Sequence, residues 1–164
     1  MNRKPRLSAL LPLFVVALVL AGAVLVSAQK PAPPQDELKP GSPYVMQPEV
    51  LSKLLQASSG PKPVILYVGP RVFWAQAHIK GAQNMGPASR AENLEKLHAR
   101  AASIPKNSLV VIYCGCCPFD HCPNIRPAFQ ELQKMGFSKV RALYLPKSFG
   151  TDWVEKGYPI EKGE

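Results

Sequence analysis

The sequence predicts an α/β domain in three layers, a mainly parallel central sheet with helices on both faces. Two observations carry this expectation. Val64–Val68 and Leu109–Tyr113 are short, continuous apolar runs, the first set between Pro63 and Gly69-Pro70, and such runs are characteristic of strands covered on both sides. Around them lie segments whose apolar residues recur three and four apart, the spacing of one-sided helices. Strands that alternate with helices are joined by crossovers, which leave the strands parallel.

The first helix opens at Gln47-Pro48-Glu49, with Pro accepted in the first turn and Val50, Leu51, Leu54 and Leu55 on one face. Ser58-Ser59-Gly60-Pro61 breaks it, and Val64–Val68 forms the first strand. Ser89-Arg90-Ala91-Glu92 matches a capping box, and Leu94, Leu97 and Ala101 continue the helical stripe. Leu109–Tyr113 is the second strand. Pro123 is read as the first residue of the next helix, with Ile125, Phe129 and Leu132 on one face and Gly136 as its stop. Val140–Leu145 forms a further strand and Thr151–Lys156 a closing helical turn. Trp74 and Trp153 are expected in or near the core, and His78 as a structural, hydrogen-bonding histidine.

Residues 1–28 read as an export signal rather than as fold. Arg3, Lys4 and Arg6 precede an apolar run from Ala9 to Val26, and Val26-Ser27-Ala28 offers a cleavage site after Ala28. The run exceeds the usual signal length, so the second reading is a retained anchor at residues 9–26. Either way the remainder is expected to be exported, to the periplasm or another extracytoplasmic space. Residues 29–44 are Pro-rich and expected to form an extended spacer, and residues 45–164 the domain. Removing the first segment lowers the net charge from +9 to +6, and the remaining bases are scattered without interleaved aromatics. That distribution argues against a nucleic-acid partner.

All four cysteines fall between the second strand and the following helix, in Tyr113-Cys114-Gly115-Cys116-Cys117-Pro118-Phe119-Asp120-His121-Cys122-Pro123-Asn124. Ligands bind an open α/β sheet beyond the carboxyl ends of its strands. A loop entering a helix there exposes backbone N–H groups and the positive end of the helix dipole, which stabilise an anion such as a thiolate. Cys114, at the strand end, and Cys122, just before the expected helix, are the two thiols this activates. Such closely spaced cysteines close loops too small for a purely stapling role.

The order of motifs resembles the single-domain rhodanese family. Tyr113-Cys114 follows an apolar strand, a loop and helix lead to Gly136-Phe137, Ala77-His78-Ile79-Lys80-Gly81-Ala82 resembles a GHIxGA segment, and Trp153, Gly157 and Pro159 resemble the closing pattern. These span about residues 47–160. The resemblance implies the rhodanese-like three-layer fold and a persulfide carried on a loop cysteine, with Cys114 the positional match to the family nucleophile. It implies a small sulfane-sulfur donor, a thiol acceptor and no cofactor, with backbone N–H groups of residues 115–122 cradling the anion. Cys122 is the next candidate, and Cys116 and Cys117 are resolving or alternative thiols. Gly115, His121 and Arg126 are candidate substrate-binding residues. An internal disulfide of Cys114 with Cys117 or Cys122 would be a resting or resolving form. The loop is about five residues longer than the family's usual one, and Arg126 falls inside the expected helix rather than at the loop's far end. The other reading is a non-catalytic domain on the same fold, binding a partner or holding Cu(I) or Zn(II) through Cys114, Cys116, Cys117 and Cys122.

Overall fold

The computed structural model describes Met1 and residues 37–163. The chain divides into two compact units, Met1–Pro31 and Ala32–Glu164, and the sheet, its helices and the cysteine loop all belong to the second. Apart from Met1, the expected export segment 1–28 and the first part of the expected spacer lie outside the described residues.

The elements run β1 (Val45–Met46), α1 (Pro48–Gln56), β2 (Val64–Tyr67), α2 (Arg71–Gln76), β3 (His78–Ile79), β4 (Gln83–Asn84), α3 (Ala91–Ala102), β5 (Val110–Tyr113), α4 (Ile125–Lys134), β6 (Val140–Leu143) and β7 (Ile160–Glu161). Five strands form one sheet in the order β1-β6-β5-β2-β4. Every neighbouring pair in it is parallel. β3 and β7 form a separate antiparallel pair. The expected α/β class and parallel central sheet are therefore present.

Side chains alternate across a strand, and the alternation divides the core in two. On one face Leu66, Val110, Ile112 and Ala142 pack with Leu97 and Ala101 of α3 and Ala128, Phe129 and Leu132 of α4. On the other, Ile65, Val111, Tyr113 and Leu143 pack with Leu51 of α1, Trp74 and Trp153. Val110 through Tyr113 are fully buried, which explains why that strand reads as an unbroken apolar run. Cys114 keeps the parity of Val110 and Ile112 and belongs to the α3–α4 side.

The topology also locates the crevice. From β2 the chain proceeds to β4 on one side of the sheet, and from β5 to β6 on the other. The point where the connections diverge lies between the carboxyl ends of β2 and β5, the expected ligand position. Gly69, just after β2, and Cys114, just after β5, meet there. A Cβ at Gly69 would lie 2.8 Å from Cys114 Sγ and 2.5 Å from Tyr67 Oη.

Several expectations are corrected. The capping box does not form: Arg90 is the N-cap of α3, and no side chain caps the start of that helix. α4 starts at Ile125 with Asn124 as N-cap, not at Pro123. Cys122 precedes proline and is extended, with φ −78° and ψ 116°, as the proline ring demands of the preceding residue. β6 ends at Leu143 rather than Leu145 because its neighbour β1 is only two residues long. The closing turn is π-helical, Gly150–Val154. Nor is the end of the spacer bare: Leu38 is buried in the core, and Tyr44 meets Phe129 edge-on, with ring centroids 5.4 Å apart. His78 is structural as expected, its Nδ1 3.0 Å from the Trp74 carbonyl and its ring stacked 3.6 Å from the Trp74 ring.

Candidate active site

The cysteine loop is shaped by its own sequence. Gly115 has φ +77°, and a Cβ there would lie 2.6 Å from Phe149 Cβ, so only glycine makes this turn cheaply. The Gly115 carbonyl accepts from the Phe149 N–H at 3.0 Å, and the Phe119 N–H donates to the Leu145 carbonyl at 3.0 Å. From the second tie onward Phe119–His121 coils into one 3-10 turn, with the Phe119 ring buried edge-on against Tyr144. The turn returns the chain toward β5, so Cys122 meets Cys114 although they are eight residues apart.

All four sulfurs converge. Cys114 Sγ lies 3.1 Å from Cys116 Sγ, and Cys116 Sγ 3.6 Å from Cys117 Sγ. Cys122 shares hydrogen bonds with the thiols of both Cys114 and Cys117 and accepts from the backbone N–H groups of Asn124 and Ile125 at the start of α4. All four cysteines are free thiols. Among the described residues no group of three or more His, Cys, Asp or Glu is arranged to hold a metal ion.

The two ends of the loop ionise differently. The Cys114 thiol stabilises the Cys122 thiolate most; burial opposes it, the two N–H groups and Cys117 add to it, and the Cys122 pKa falls to about 6. Cys114 is raised well above the usual thiol range, first by the proton it shares with Cys122, then by burial and by the charge on Cys122. Cys117 is pushed up to about 12, chiefly by desolvation and then by its hydrogen bond with Cys116. Burial also raises Tyr67, which stays a neutral phenol whose hydroxyl donates to the Pro70 carbonyl at 3.0 Å.

Cys122 opens on a cleft of about 170 Å³ lined by Leu38, Lys39, Phe119, Asp120, Ile125 and Arg126. Cys114 is only 2% exposed and does not line it. Of the expected substrate-binding residues, Arg126 lines the cleft, Gly115 shapes the turn, and His121 is exposed outside the lining. Larger hollows, about 440 Å³ beside Lys80 and about 360 Å³ beside His98, hold no cysteine.

Sequence reasoning missed Asn124. Its Nδ2 donates to Cys114 Sγ at 3.5 Å while its Oδ1 accepts from the Ser89 N–H at 3.0 Å, joining the start of α3 to the sulfur cluster. An Asn just ahead of a helical stripe was the available signal, but this side chain caps nothing in its own helix. Leu38 and Lys39 were missed because they lie in the stretch read as spacer.

A parallel sheet that places a thiolate at a helix start beside its central strand defines a thiol-bearing α/β domain. The sequence family is then specific: the model for the rhodanese-like domain matches residues 48–144, and the chain belongs to that family. Among solved structures it is similar to the Alr3790 protein from Anabaena sp., with 26% identity, TM-score 0.54, and coverage of 72% of this chain and 92% of that one. A solution structure of the rhodanese-like domain of the same protein aligns with 24% identity and TM-score 0.53, over 73% of this chain and 79% of that one. The BH2092 protein from Bacillus halodurans shares the fold at 18% identity and TM-score 0.54, over 73% of this chain and 77% of that one. No curated protein matches the sequence.

Proposed function

We propose that this rhodanese-like domain is an exported sulfurtransferase or persulfide carrier, with Cys122 the thiol that takes up sulfur. The observation that carries this reading is the place of Cys122, beside Cys114 and Cys117 at the start of α4 and at the edge of an open cleft, where its pKa is lowered to about 6. In the first step the thiolate attacks the sulfane sulfur of a small donor. A bond forms from Cys122 Sγ to that sulfur, the donor's bond to it breaks, and the remainder leaves with the electron pair. An acceptor thiolate then attacks the outer sulfur and releases Cys122 as thiolate. The N–H groups of Asn124 and Ile125 offset negative charge at the site throughout.

The resemblance ranks Cys114 first, whereas burial and ionisation favour Cys122. Intact-mass measurement after exposure to thiosulfate or an aryl thiosulfonate separates the two. The expected result is a gain of one sulfur atom that Cys114→Ser shows and Cys122→Ser does not. The reverse pattern would return the role to Cys114, and no uptake by any form would refute the sulfurtransferase reading. Export rests on residues 1–28, and the expected mature amino terminus in a secreting host is Gln29. Recovery of an intact Met1 terminus in the membrane fraction would support the anchor instead.

A further inference from the structure

One thiol suffices to carry a sulfur atom, yet four meet here. Cys114 is hydrogen-bonded to Cys122, closed off from solvent, and lies 3.1 Å from a third sulfur. Buried at 2% exposure, it cannot receive a donor of any size, and its position is nevertheless fixed on several sides. Asn124 donates to its sulfur, and Gly69 leaves the room that a methyl group would fill. A thiol held so firmly against the sulfur-carrying cysteine is suited to attack it.

We infer that Cys114 resolves the persulfide on Cys122, so that the domain also reduces sulfane sulfur to sulfide. This rests on the sulfur-carrier reading. Cys114 Sγ attacks Cys122 Sγ and a bond forms between them. The bond from Cys122 Sγ to the outer sulfur breaks, and that sulfur leaves with the electron pair as hydrosulfide. The proton of Cys114 goes to the leaving group or to water. The sulfane sulfur is reduced by two electrons, and the two cysteine sulfurs are oxidised to a disulfide, so the persulfide itself is the oxidant and the step is balanced. A dithiol reductant reopens the disulfide by attack at Cys122, the member that faces the cleft, and leaves as its own cyclic disulfide. The local chain suits such a bridge: Gly115 and the 3-10 turn already bring the two cysteines together.

A single-turnover experiment on the freshly reduced full chain, cleared of reductant, tests this with thiosulfate or an aryl thiosulfonate. Loading releases sulfite or sulfinate, and resolution releases sulfide, so the two stages have separate readouts. The wild-type chain is expected to release about one equivalent of each and to end two hydrogen atoms lighter, with a Cys114–Cys122 cross-linked peptide. Cys114→Ser, whose hydroxyl still donates to Cys122, should hold its added sulfur and release at least about tenfold less sulfide. Sulfite or sulfinate without sulfide from the wild-type chain would overturn resolution and leave sulfur carriage intact. Sulfide from Cys114→Ser at the wild-type rate, or a mapped disulfide that excludes Cys114, would also overturn it. Absence of both products would remove the carrier reading and this inference together. Disulfide mapping uses the wild-type chain alone and remains decisive if the variant folds poorly.

Discussion

Cys114 and Cys122 are the same side chain at opposite ends of one loop, and the fold treats them oppositely. Cys114 ends the central strand, takes the parity of Val110 and Ile112, and is closed in by Gly69 and Asn124. Cys122 precedes a helix, faces a cleft, and gains two N–H donors. Burial raises the pKa of both, and what separates them is who donates to whom. A strand end supplies position, whereas a helix start supplies charge stabilisation. Placing one thiol at each gives a protonated and an ionised sulfur in contact near neutral pH.

The largest effect should come from removing the ionised partner. Cys122→Ser is expected to slow sulfur uptake by about 10³-fold or more, read by the rate of sulfite release from thiosulfate. Uptake that survives at the wild-type rate would erase the distinction between the two thiols. Next comes pH. Because the Cys122 pKa is lowered to about 6, its thiolate is present above that value and lost as pH falls through it. Alkylation of Cys122 by iodoacetamide should therefore fall about tenfold per pH unit below 6 and level off above 7, as mapped by peptide mass. A midpoint at the ordinary thiol value would refute the cradle. Cys114 should stay unmodified over the same range until the protein unfolds.

Smaller effects test the frame. Gly115→Ala places a Cβ in a left-handed conformation and against Phe149, and should cost about 2–4 kcal/mol in denaturant unfolding. Asn124→Ala removes the side-chain ties to Cys114 Sγ and the Ser89 N–H but keeps the backbone N–H that holds Cys122. It should cost about 1–3 kcal/mol and leave the alkylation midpoint of Cys122 below 7. A midpoint that moves to the ordinary thiol range would mean that the side chain, not the peptide group, sustains the thiolate.

Much of this architecture was legible in the sequence because its signals were local. Val64–Tyr67 and Val110–Tyr113 announce themselves as apolar runs since both faces are covered. α1, α3 and α4 show stripes because each buries one side. α2 could not be seen: Val72 and Phe73 face outward and only Trp74 is buried, so its apolar residues follow no core-facing period. β1, β3, β4 and β7 are two residues each, too short for any periodicity. The cysteines were equally plain as a cluster. Their division of labour was not, because the charge on Cys122 depends on thiols eight and five residues away and on a helix that begins two residues later than Pro123 suggests.

The two peptide hydrogen bonds that brace the loop against Leu145 and Phe149 have a dynamic consequence. Opening the loop would break both, so sulfur exchange here is expected to proceed by small movements of the side chains inside a closed loop. Its rate is then governed by proton transfer and bond exchange, and turnover is expected to respond to deuterated solvent far more than to solvent viscosity.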